Sequence, residues 1–162
     1  MKNSPFIIIL LLFMSCSTIH VVIDPDTHNH NPFFNARFYA EQGPEGVKEL
    51  LDKNKEGSYD RDVEMYVAAG LIYAPCDVYP LLLPYLSNED PKIRAFAILV
   101  AGFLGDKRYE SIIKKHLEDK TKLEFWFDDT VADRAETSLN YIEQGGFSKE
   151  ERELIEQVTK EK

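Results

Sequence analysis

Cysteine is scarce in this chain of 162 residues, which holds Cys16 and Cys76 and no others. Cys16 lies in a chemically distinct N-terminal region, so Cys76 has no partner. No intrachain disulfide framework is available, and a buried, inert thiol is expected at position 76. Positive charge is also in deficit: 19 Lys plus Arg stand against 28 Asp plus Glu, a net charge of −9. Such a balance repels phosphate backbones and no basic block offsets it, which argues against nucleic acid as a partner and leaves neutral or basic proteins. Beyond the N-terminus, no apolar run approaches the roughly 20 residues of a membrane-spanning helix. The longest lies in DPKIRAFAILVAGFLGD, Asp90 to Asp106. Its apolar part, Ala95 to Leu104, reaches only about 15 Å as a helix and is flanked by Asp90, Lys92, Arg94, Asp106 and Lys107. Such a run belongs in a protein core. Core material is plentiful, with 44% hydrophobic and 12% aromatic residues, which suits a single folded domain.

The first residues have a different character. Met1, Lys2 and Asn3 give a short positive segment, and PFIIILLLFM from Pro5 to Met14 gives an apolar segment too short to cross a bilayer, the pattern of a secretion signal. Ser15-Cys16-Ser17 follows directly. This junction resembles the lipobox of bacterial lipoproteins. The resemblance implies cleavage before Cys16, diacylation of its sulfur and acylation of its new amine by palmitate-type chains. At about 0.8 kcal/mol per buried methylene, two or three chains anchor a protein firmly. The implied organisation is a signal peptide at 1–15, a lipidated flexible tether at 16–32 and a folded domain at 33–162. The implied address is the bacterial cell envelope, facing the periplasm, with membrane contact through the lipid alone. Ser17 after Cys16 points to the outer rather than the inner membrane under the enterobacterial sorting rule. Within the tether, His20, Asp24, Asp26, His28 and His30 are metal-ligand types, but their spacing matches no closed zinc motif and no cysteine joins them. A solvated linker is expected, with no metal or cofactor.

The folded region carries a repeating register. Ile93, Phe96, Ala97, Val100, Ala101 and Leu104 fall on one stripe of an amphipathic helix. Asp90 suits its cap, Pro91 its first position and Gly105 a left-handed exit. Thirty residues earlier the same stripe recurs as Val63, Tyr66, Val67, Gly70, Leu71 and Ala74. Tyr109, Ile112 and Ile113 map in the same way onto Tyr79, Leu82 and Leu83. A looser copy follows at an offset of thirty-eight, with Val131, Ala135, Leu139 and Ile142, where Asp128 or Asp129 can supply the cap. Ser148 with Glu151 forms a capping box for a last helix carrying Leu154, Ile155 and Val158. Phe34 with Phe38, then Val47 with Leu50 and Leu51, suggest a shorter hairpin at the start. A single hairpin cannot hide both helices' apolar faces, so the expected fold is all-α, a short solenoid of stacked helical hairpins.

The run Ile93-Arg94, Ala97, Gly102-Phe103-Leu104-Gly105-Asp106 resembles a HEAT repeat of the short, PBS-lyase-like type, and Val131-Ala132-Asp133-Arg134-Ala135 resembles the matching helix of another. The resemblance implies an inter-repeat structural role for Arg94, hydrogen-bonded to an acidic neighbour such as Asp60 or Asp62, with Glu64 at the corresponding place one repeat earlier. It also implies that second helices line a concave face, bringing together DVYPLLLPYLSN, DKRYESIIKKHLEDK and SKEERELIEQVTKEK.

Catalytic signatures are missing: there is no glycine-rich phosphate loop, no GxSxG, no HExxH and no His-Glu pair. Asp128-Asp129 and Glu89-Asp90 are expected caps, and His116 a structural or solvent-exposed histidine at a helix end. No enzymatic activity is expected. Lys107, Arg108, Lys114 and Lys115 form a basic strip that could steer a partner, and Trp126, inside Phe125-Trp126-Phe127, could anchor one. The function expected is a lipid-anchored scaffold or adaptor for an unidentified protein partner. A periplasmic immunity or inhibitor protein is the alternative, and a metal-dependent enzyme a more distant one.

Overall fold

The computed structural model of the protein describes residues 31–55, 61–123 and 129–160. Asn31 opens it in extended backbone, and its side-chain oxygen accepts from the amides of Phe33 and Phe34, which fixes the start of α1, Pro32–Ala40. Gly43, at φ 84°, turns the chain into α2, Pro44–Asn54. There follow α3 (Arg61–Leu71), α4 (Tyr79–Leu86) and α5 (Pro91–Leu104). Next come a 3-10 turn (Lys107–Tyr109), α6 (Glu110–Ile113), a second 3-10 turn (Lys114–His116), α7 (Val131–Gln144) and α8 (Lys149–Val158). The protein is all-α: among the described residues extended pairing is confined to one isolated bridge, Lys122 with Thr130. None of the described helices is long and apolar enough to cross a membrane.

Helices α1, α3, α5 and α7 pack in succession, α1 on α3, α3 on α5 and α5 on α7, while α4 packs against both α2 and α5. Helix α5 is central to this row. Asp90 caps it by accepting from the Lys92 amide, and Gly105 ends it at φ 71°. Every residue from Ala95 to Phe103 is buried, more than one stripe, because α3, α4 and α7 cover it on different sides.

Two crossings in the row depend on an absent side chain. A β-carbon at Gly70 would lie 2.5–2.7 Å from Ala36, and one at Gly102 would lie 2.7–2.8 Å from Ser138. The first crossing explains a departure from the sequence expectation for α1. Its buried face is Asn35, Ala36, Tyr39 and Ala40, whereas Phe38 is 45% exposed and Phe34 half-buried. Close contact with α3 requires the small Ala36, and that rotates the phenylalanines outward.

Helix α7 begins differently from the expectation as well. Its cap is Thr130, which forms a reciprocal capping box with Asp133, and Asp129 pairs instead with Arg134 at 3.0 Å. Asp128 lies outside the described residues. In the preceding connection the Leu123 amide donates to Asp129 O at 2.9 Å and the Val131 amide to Thr121 O at 3.1 Å, which buries Leu123.

The sequence places α8 beside α4 and the 107–117 segment, but it packs on α1 instead. Gly145 and Gly146, at φ 87° and 84°, reverse the chain so that the Phe147 amide donates to Phe103 O at 3.1 Å and its ring stacks on Phe103 at 5.2 Å. From there α8 turns Ile155 inward and packs against α1, where the Asn31 side-chain amide donates to Val158 O at 2.7 Å. The start and the end of the described chain are thereby fastened together. Cys76, expected to be buried, is half-buried in the connection between α3 and α4.

Candidate protein-docking surface

From Val78 to Asn88 the chain carries no charge, and α4 lies within this stretch. Leu82, Tyr85 and Leu86 turn inward and are buried. The opposite face presents Pro80, Pro84 and Ser87 exposed, with Leu83 half-buried among them. Pro84 has no N–H to donate to the carbonyl of Pro80. On one flank stands α2, whose Asp52 accepts from the Tyr85 hydroxyl at 2.9 Å.

The segment 107–117 runs along the other flank. At the N-terminal end of α4 the Tyr79 and Tyr109 rings lie 4.9 Å apart. At its C-terminal end His116 lies against the Leu86 backbone. This side-by-side course sets the expected basic strip beside the uncharged face. The four cations are not equivalent. Arg108 forks between Asp77, with contacts of 2.8 and 2.9 Å, and Asp106, with contacts of 2.6–3.1 Å, and its guanidinium stacks over the Tyr79 ring at 4.6 Å. These hydrogen bonds hold both carboxyls below the usual carboxylate range. Arg108 therefore acts as a staple between the α3–α4 connection and the turn after α5. Lys114 pairs with Glu110 at 2.5 Å. Lys107 and Lys115 are exposed and form no ion pair among the described residues. They are the two charges of the strip available to a partner.

Arg94 holds the same region from beneath. It donates to the carbonyls of Asn88 and Glu89 at 2.8 Å each and to Asp119 at 2.8 Å. Its acidic partner is thus downstream, in the connection after α6, and not the upstream Asp62 that the resemblance suggested; Asp60 lies outside the described residues. Burial opposes the charge on Asp119, but hydrogen bonds from Thr121 and Arg94 outweigh it and keep the carboxyl below its ordinary value. Beside this pair His116 is half-buried, and desolvation together with the positive charge of Arg94 pushes its pKa down.

The grip of Asp77, Asp106 and Tyr79 on Arg108 escaped the sequence reading, as did Pro80 and Pro84. The uncharged stretch Val78 to Asn88 does not by itself mark the latter, since Met65–Cys76 and Ala95–Gly105 are also free of charge; the two prolines inside it are the further signal. Cys16, Trp126 and the tether histidines lie outside the described residues. Among the described residues no group of three or more His, Cys, Asp or Glu is placed to hold a metal ion. A groove of about 270 Å³ lies between α1 and the end of α8, lined by Phe34, Arg37, Phe38, Glu41, Thr159 and Lys160. Its charges are spent on Arg37–Glu41 and Lys160–Glu156 pairs.

The chain matches no protein-family model, no curated protein and no solved structure.

Proposed function

We propose that the protein is a lipid-anchored scaffold of stacked, HEAT-like helical hairpins that docks another protein on its second-helix face. The observation that carries this reading is the uncharged outer face of α4 beside two uncommitted lysines, Lys107 and Lys115, on a chain of net charge −9. Apolar area supplies affinity, and the flanking cations select an approaching acidic segment and set its orientation. The solenoid reading is supported by the successive packing of α1, α3, α5 and α7 and by the polar outer side of α7, where Asp133, Glu136 and Asn140 are exposed, as a terminal repeat requires. The anchor is supported by the sequence at Cys16.

The test is a pair of variants of the full-length chain. Lys107→Glu with Lys115→Glu should leave folding and membrane location intact and remove a partner recovered with the wild type. Cys16→Ala should abolish labelling by a palmitate analogue and release the chain from membranes. An unchanged set of recovered proteins for the first variant, or persistent labelling of the second, would contradict the corresponding half of the proposal.

A further inference from the structure

The same chain carries a surface complementary to this docking face. Leu154 of α8 is 59% exposed, the more exposed of the two large apolar side chains, with Phe38, that stand out in water among the described residues. Its helix turns Ile155 and Thr159 into the core and leaves Leu154 outside. Residues three and four positions away are its neighbours on the helix surface, which puts Glu150 and Glu151 beside it toward the N-terminus and Gln157 and Val158 toward the C-terminus. Glu153 precedes it and pairs only loosely with Lys149, at 3.7 Å. Glu150 is exposed and forms no ion pair among the described residues. The result is an apolar side chain set among carboxylates.

The docking face has the inverse arrangement, Pro80, Leu83 and Pro84 beside Lys107 and Lys115. The two surfaces do not meet within one molecule, since Leu154 is exposed and both lysines are unpaired. Building on the docking reading, we infer that the occupant of the second-helix face is α8 of a second copy of this chain, with Leu154 against the Pro80–Pro84 face and the α8 carboxylates against Lys107 and Lys115. Because donor and acceptor are different surfaces, the contact is head-to-tail: each added copy brings a fresh face and a fresh helix, so copies line up in a ring or a row. A helix of ten residues is about 15 Å long, so it covers less than the roughly 800 Å² per partner of a standard interface. The contact is accordingly weak in dilute solution and gains from confinement of copies to a shared surface.

The test uses the full-length chain in detergent micelles. One tagged copy carries the photo-crosslinking substitution Leu154→benzoylphenylalanine and is mixed with an untagged copy. The expected result is a two-chain adduct whose linked peptide falls within residues 78–88 or 107–115. Lys107→Glu with Lys115→Glu in the untagged copy should lower its yield about tenfold, the loss from two partly exposed charge pairs. Glu150→Lys with Glu153→Lys in the tagged copy should then restore the yield, which a misfolded acceptor could not do. No two-chain adduct, an adduct mapped elsewhere, or a yield indifferent to the charge reversals would overturn self-recognition. If the adduct fails while the lysine-reversed chain still loses its envelope partner, self-recognition falls and the docking reading stands. If both fail, both fall.

Discussion

The Ser138 hydroxyl donates to the carbonyl of Ile98 at 2.7 Å, across the crossing of α7 and α5. Such a short bond between buried helices requires their backbones to come close, and Gly102 permits it one turn along from Ile98. Gly102→Ala would place a methyl group 2.7 Å from the Ser138 α-carbon, which is backbone and cannot swing aside. We expect a loss of about 1–3 kcal/mol in urea unfolding, as for overpacked cores. Equal stability would mean that the two helices do not cross here.

Arg94→Ala should cost about 2 kcal/mol, because it leaves Asp119 and two backbone carbonyls without their charged donor in a partly buried site. Arg94→Lys should recover only part of this, since an ammonium cannot serve three acceptors in the plane of a guanidinium. Full recovery by lysine would show that charge alone is sufficient.

The pH dependence of melting follows from His116 and Asp119. The pKa of His116 is depressed below its ordinary 6.5, so the unfolded chain takes up this proton first. The contribution of the neutral imidazole is complete above pH 6.5 and declines as the pH falls from there through the folded-state pKa. Asp119 lies below 3.8, as do Asp77 and Asp106, so their joint contribution is present above that value and lost on further acidification. The melting temperature should therefore drop in two stages, and His116→Gln should remove the upper stage and leave the lower. A variant that keeps both stages would contradict the assignment.

Helix α8 should open before the rest of the fold. Ile155 is its only residue buried in the core, so Ile155→Ala should strip protection from α8 amides in hydrogen exchange while α5 and α7 retain theirs. Simultaneous loss throughout would show that α8 and the row α1, α3, α5 and α7 unfold as one unit.

How far these features were legible in the sequence depends on the range of the interaction. The α5 helix, from its Asp90 cap to its Gly105 exit, follows from local periodicity and turn chemistry, and the structure reproduces it. The all-α character follows from the same signals. Phe34 and Phe38 misled because hydrophobicity alone does not reveal that Gly70 demands a small residue opposite, and Ala36 supplies it. Arg94 was readable as a structural residue, but its partner Asp119 lies twenty-five residues away, where no local rule reaches. Leu154, Ile155 and Val158 read together from the sequence as the apolar set of α8, yet only Ile155 is buried and Leu154 stands 59% exposed; the two left-handed glycines and the Phe147–Phe103 stack decide which side turns inward. In the basic strip, residue type gave four equal cations, and only the folded arrangement separates the stapled Arg108 from the available Lys107 and Lys115.

The docking claim is tested most directly by a photo-crosslinker scanned over the intact chain in its native membrane, at Pro80, Pro84 and Lys115 on the second-helix face and at Glu136 and Asn140 on α7. Protein adducts should form from the first three positions and be absent from the last two. Adducts from α7 with none from α4, or equal capture at every position, would contradict it.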